Sequence, residues 1–156
     1  MRQMGQTKNW LLFTMAWFII MLLLIPPKRR LKLSPFGFCL GLGQAVILAW
    51  LAMGRLKLWK IPGDIMLSGI PVFTSISWIP PAILFANYYP AGKSWFFKAA
   101  YVLFFAAGTA LVQHGQRIAG MWENIRWKDI YTFPLALLTH TIMSISRLFF
   151  PYLSKQ

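Results

Sequence analysis

Polar and apolar positions in this chain fall into long blocks rather than short alternations. Apolar runs cover residues 9–27, 35–54, 65–88, 94–113 and 130–150. Each is close to the roughly 20 residues that carry a helix across a bilayer. Basic, Gly- and Pro-containing connections separate them, among them "KRRLKLS", "GRLKLWK", "KIPGD" and "YYPAGKSW". The blocks predict a single all-α integral membrane domain over residues 1–156. It is expected to cross the cell membrane about five times and to carry a short interfacial amphipathic helix between spans four and five. The first run is expected to be retained rather than cleaved. A signal peptide has a shorter apolar core and a small-residue cleavage site, and here large residues continue to Pro26 and Pro27.

The third run departs from a simple span because it holds Pro71, Pro80 and Pro81. Proline removes a backbone donor and clashes with the preceding turn. A bend in a packed helix is the default expectation. The alternative is a break at residues 78–81, the device by which several transporters build a midplane site.

Composition sharpens the class. The chain is 58% hydrophobic and only 12% charged, where a soluble domain is about a quarter charged. Its net charge of +13 comes from 16 Lys and Arg against three acids. The basic residues are scattered through the connections, so they point to anionic lipid head groups and helix anchoring, not to nucleic acid. With the N-terminus outside, each side of the membrane receives eight Lys or Arg, counting Arg2 on one side and Lys155 on the other. The first hairpin breaks the tie: Lys28, Arg29, Arg30 and Lys32 outweigh Arg2 and Lys8 and favour an outside N-terminus. The lone Cys39 forms no internal disulfide, two distant histidines make no zinc set, and no metal or cofactor is expected.

An ionisable group at membrane depth marks a candidate site. His140 is the main one, with Ser144 and Arg147 on the same helical face and Thr139 and Thr141 beside it. One reading is a proton or substrate relay. The other is a neutral histidine bonded within the bundle, with Arg147 reaching out to the interface. Gln44 joins this candidate polar site, and Asn87, Gln113 and His114 are further polar positions. Gly37 and Gly41 form a GxxxG spacing, and Ala106, Ala107, Gly108 and Ala110 cluster in the fourth run. Both sets are expected to let helices pack closely.

Asp64 and Asp129 precede the third and fifth runs, where carboxylates cap helix N-termini. In and just before "MWENIRWKDIY", Ile118, Met121, Trp122 and Ile125 keep helical spacing, and Glu123, Arg126 and Asp129 could pair at i+3. This is the expected interfacial helix, with Trp122 and Trp127 as head-group anchors. No GxSxG, HExxH, Walker or dinucleotide pattern is present, and no catalytic residue is assigned.

From "YYPAGKSWFFKAAYVLFF" through "MWENIRWKDIYTFPLALLTHTIMSI" the chain resembles a family of small uncharacterised multi-spanning membrane proteins of spore-forming Firmicutes. That resemblance covers the C-terminal half. It implies about five helices and a cell-membrane location, and it brings no activity or site residues. The function expected from the sequence is a non-enzymatic membrane component that packs against itself or a membrane protein partner. The alternative is a small transporter or channel subunit using the Pro-broken third span and the His140 face.

Overall fold

A computed structural model describes residues 2–150, with side chains from residue 7 onward, and it is mostly helical. Lys155 lies outside the described residues, as does the side chain of Arg2. Helix α1 (Arg2–Leu24) ends at the Pro26–Pro27 pair. Helix α2 runs over Pro27–Arg55, with Pro27 at a first-turn position where a missing N–H has no cost. The basic stretch expected as a connection is therefore wound into α2, and Lys28, Arg29 and Arg30 occupy its first turn. Pro35 removes one rung of the ladder. The helix then widens to i→i+5 bonding over Gly37–Leu42, and again over Trp50–Arg55, where the Leu56 N–H donates to the Leu51 carbonyl at 2.8 Å.

The third apolar run does not form one helix. Its first part is a hairpin of β2 (Met66–Leu67) with β3 (Ile70–Pro71), turned by Ser68 and Gly69, both at positive φ. A short helix α3 (Val72–Ile76) follows. The chain breaks at Ser77–Trp78 and restarts as α4 (Ile79–Tyr88). The break, rather than a bend, has a local cause. Pro80 and Pro81 fall in the first turn of α4, where backbone N–H groups have no intrahelical partner, so the helix starts there.

Helix α5 (Trp95–Ile118) then returns along the bundle. It stops at Gly120, whose φ of 72° suits glycine. The Gly120 N–H donates to the Arg117 carbonyl and the Met121 N–H to the Gln116 carbonyl, which is a Schellman termination. This corrects the expected interfacial helix, which does not form. Residues past Gly120 instead give β4 (Glu123–Asn124), which pairs antiparallel with β1 (Trp59–Lys60). A 3₁₀ turn over Asp129–Tyr131 leads into α6 (Thr132–Ser146), and a second covers Arg147–Phe149.

Among the described residues three helices are long and apolar enough to cross a membrane: Thr7–Leu24, Pro27–Arg55 and Trp95–Ile118. α4 is shorter than any of them and is the centre of the packing. Eight of its ten residues are buried, and the main core gathers Ile79, Ile83 and Phe85 with Met21, Leu33, Phe36, Val102 and Met143 from the surrounding helices. The GxxxG pair explains the close approach of α2. A Cβ on Gly37 would lie 2.6 Å from the Ile83 side chain, and one on Gly41 only 2.5 Å from the Trp78 carbonyl oxygen. A second core at the hairpin end joins Trp10, Ala52, Trp59, Ile61 and Met121.

The chain thus has a hairpin end, made by residues 56–71 and 119–131, and an opposite end made by the α1–α2 turn, the 89–94 loop and the close of α6. Asp64, Glu123 and Asp129 all sit at the hairpin end. Lys28, Arg29, Arg30, Lys32, Lys93, Lys98 and Arg147 sit at the other, which is called the basic end below.

Candidate functional site

The broken helix is held by charges from elsewhere in the chain. Asp64 is not adjacent to α3, yet its carboxylate accepts the Phe73 N–H at 2.9 Å, the Thr74 N–H at 2.7 Å and the Thr74 hydroxyl at 2.6 Å. An anion thus meets the first turn of α3 from across the hairpin. At the far end, the Arg147 guanidinium donates to the Ala86 carbonyl at 3.0 Å and lies over the Tyr89 ring at 4.4 Å. The Tyr101 hydroxyl donates to the Phe85 carbonyl at 3.0 Å. These donors satisfy last-turn carbonyls of α4 and place a cation at its negative dipole end. Arg147 is buried, which corrects the expectation that it reaches out to the interface. At the break itself the Ser75 hydroxyl donates to the Pro71 carbonyl and Ser77 to the Thr74 carbonyl. The polar groups that a broken helix frees are bonded internally here.

With the break satisfied, the space beside it is apolar. A cleft of about 620 Å³ runs between one face of α1 (Phe13, Trp17, Ile20, Leu24) and one face of α5 (Tyr101, Phe105, Gly108, Val112, Gln116). Trp78, Pro81 and Leu84 form its floor, and Leu135, Ala136, Thr139 and His140 of α6 close its side. Pockets of about 300–1,000 Å³ with mostly apolar walls and a few polar groups are the usual form of small-molecule sites. The hairpin end of the cleft is walled by Trp59, Trp122 and Trp127.

The expected polar face is split. His140 lines the cleft, with its ring centroid 5.6 Å from Phe85, 5.9 Å from Phe105 and 6.5 Å from Trp78. Its Nδ1 lies 2.7 Å from the Ala136 carbonyl, a contact that requires the proton on Nδ1. Ser144 and Arg147 lie off the cleft. Ser144 bonds the Tyr89 hydroxyl at 2.5 Å, so Tyr89 joins both residues in one cluster at the basic end. The Gln44 amide has no hydrogen-bond partner among the described residues and borders a void of about 20 Å³ with Trp78 and Thr139. Asn87 is buried and accepts from Arg29 at 3.4 Å. Gly108, expected to serve close packing, has nothing within 4 Å of a Cβ position and faces open cleft.

Asp129 does not act as an N-cap. Its carboxylate accepts from His114 Nδ1 at 2.9 Å, Arg117 Nε at 2.7 Å and Asn124 Nδ2 at 2.6 Å, tying the connector to the end of α5. Its ion partners are His114 and Arg117, not the expected Arg126. The His114 hydrogen bond, helped by Asn124 and Arg117, holds the Asp129 carboxyl below the usual carboxylate range against a smaller opposing effect of burial. Trp122 and Trp127 each pack on Trp59 at 5.0 Å between centroids, Trp122 tilted and Trp127 edge-on, and their indole N–H groups donate to Asn124 and Thr132. They are half-buried members of the second core.

Sequence reading missed the cleft face of α5 and the role of Trp59. The signal for the former was present: Gly108, Thr109 and Gln116 recur at helical spacing within an otherwise aromatic and aliphatic helix. No signal marks Trp59, because its partners come from a connector 63 and 68 residues away.

No family model, curated protein or solved structure matches the chain.

Proposed function

We propose that this protein is a non-enzymatic integral membrane protein that holds an apolar molecule in the cleft between α1 and α5. The cleft of about 620 Å³ beside the broken helix carries the reading. Its walls are mostly aromatic and aliphatic, and His140, Thr139, Thr109 and Gln116 are among the few polar groups available to orient a guest. Membrane residence is supported by the surface. Leu12, Leu23, Leu111 and Ile118 are each more than 60% exposed, a density of large apolar side chains on the exterior that suits lipid better than water. The carboxylates of Asp64 and Asp129 are engaged in structural bonds remote from His140, which favours binding over proton relay. The five-span reading becomes three long helices, the split α3–α4 segment and the shorter α6.

Native mass spectrometry of the full chain, extracted from its membrane in a mild detergent, tests the reading. The expected result is a stoichiometric lipid-sized adduct that Gly108→Leu removes while the protein stays folded, since a side chain there meets open space. A wild type without an adduct, or the same adduct in both proteins, would sink it.

A further inference from the structure

Resting on that reading, we propose that the guest is a lipid with an anionic phosphate head, lying at the basic end against Lys28, Arg29 and Lys98, with its chain along α5. Three observations converge on it. The first is charge segregation: every acid of the chain is at the hairpin end, and the seven described basic residues opposite have no acid among them. The second is where the cations stand relative to the cleft. Leu24 and Tyr88 form its rim at this end, joined by the Tyr88 hydroxyl donating to the Leu24 carbonyl at 3.0 Å. Lys28 lies in the first turn of α2, just past the Pro26–Pro27 turn that follows Leu24. Arg29 donates to Asn87 beside Tyr88, using one of five guanidinium donors. Lys98 precedes Tyr101 by three residues and so continues the cleft-lining face of α5.

The third observation is an electrostatic mismatch that an anion relieves. Lys28, Arg29 and Arg30 crowd the first turn of α2, which has no acidic residue, and Pro26 supplies no side-chain cap. Basic groups at the positive end of a helix dipole are unfavourable. The Arg30 Nε is buried without a partner. A phosphate at this end would answer both the side-chain charges and the helix end. A lipid is the source, rather than free phosphate, because the cations stand at the same end as the Leu24–Tyr88 rim of an apolar cleft. The lining of α5 from Tyr101 to Gln116 extends about 22 Å at helical rise, which suits an acyl or prenyl chain.

Tryptophan fluorescence reads out occupancy, since five of the eight tryptophans line the cleft. The full chain in detergent micelles is titrated with phosphatidylglycerol or phosphatidylcholine carrying dibrominated chains, which quench on contact. The anionic lipid is expected to quench at lower mole fraction, and Lys98→Gln, whose side chain makes no hydrogen bond among the described residues, should reduce that preference about fivefold. Lys28→Ala/Arg29→Ala/Lys98→Ala should abolish it, and Gly108→Leu should remove cleft quenching by both lipids. Equal quenching by the two lipids in the wild type overturns the phosphate head and leaves the cleft reading standing. Quenching in the wild type no greater than in Gly108→Leu overturns both. Loss of the preference on adding inorganic phosphate at constant ionic strength overturns the lipid source in favour of a free anion.

Discussion

Helices α4 and α5 are adjacent and both apolar, yet they are built for opposite surroundings. α4 has ten residues, eight of them buried, and receives contacts from every side. α5 has 24 residues, of which Val102 and Ala106 are buried, and it turns most of its surface outward or to the cleft. Hydropathy separates the two badly, because it reports apolar character and not what the apolar group touches. The 24-residue apolar helix is peripheral, and the ten-residue one, opened by two prolines, is the hub. What marks the hub is the small residues of its neighbour, Gly37 and Gly41, which bring two backbones together.

The largest effect expected from this contrast is at Gly41. Gly41→Leu would place side-chain atoms against the Trp78 carbonyl, 2.5 Å from the first added carbon, at the break itself. A backbone oxygen cannot swing away as a flexible side chain can, so the loss should be on the order of 4 kcal/mol and should be seen as loss of monodisperse protein. Gly54→Leu, with open space around it, should leave the yield unchanged.

Next comes the aromatic pair across the two helices. Phe85 is fully buried against Tyr101, Phe105 and His140, whereas Phe104 is 73% exposed. Phe85→Ala should cost about 3–5 kcal/mol through the cavity left behind. Phe104→Ala should stay within about 0.5 kcal/mol. Unfolding midpoints in one detergent compare them, and equal losses would erase the distinction between hub and periphery.

A smaller effect concerns the connector that ties α5 to the hairpin end. The Asp129 carboxyl is held below its ordinary value by His114, Asn124 and Arg117. A depressed acid contributes stability that is present above its unfolded pKa of about 3.9 and is lost as pH falls through the lower folded value. Protection of residues 119–131 against hydrogen exchange, relative to the intrinsic rate at each pH, should therefore hold level from pH 7 to about pH 4 and fall only in stronger acid. Asp129→Asn should abolish that acid-dependent step. The smallest effect is at Gly108, where Gly108→Ala should stabilise α5 by up to about 1 kcal/mol, because helix propensity improves and nothing is displaced.

How much of this was legible follows from the range of each signal. The long runs at 9–27 and 94–113 gave helices because apolar length is a local property, and Gly37–Gly41 packing could be read from spacing alone. The limits of the runs were harder. Pro27 opens α2 within the basic cluster, so charge did not mark a connection there, and Gly120 stops α5 where a helical stripe still continued in sequence. The third run could be suspected of breaking at its prolines, but the bonds that make the break tolerable come from Asp64, Ser75 and Ser77 in three-dimensional register. Arg147 looked like a group near the interface because its partners, Ala86 and Tyr89, are about 60 residues away in sequence. The cleft needed two helices that never touch closely, and no local pattern encodes the gap between them.

The cleft is most directly tested by comparing two positions on one helix. A photoreactive benzophenone side chain is placed at Thr109, which lines the cleft, or at Leu111, which is 72% exposed on the outer surface. Crosslinking to phosphatidylglycerol is then followed as its mole fraction rises. At position 109 the adduct should saturate at low lipid content and disappear when Gly108→Leu fills the cleft. At position 111 it should rise in proportion to bulk lipid and ignore that substitution. The same dependence at both positions would mean that α5 sees only the surrounding lipid and that the cleft holds no guest of its own.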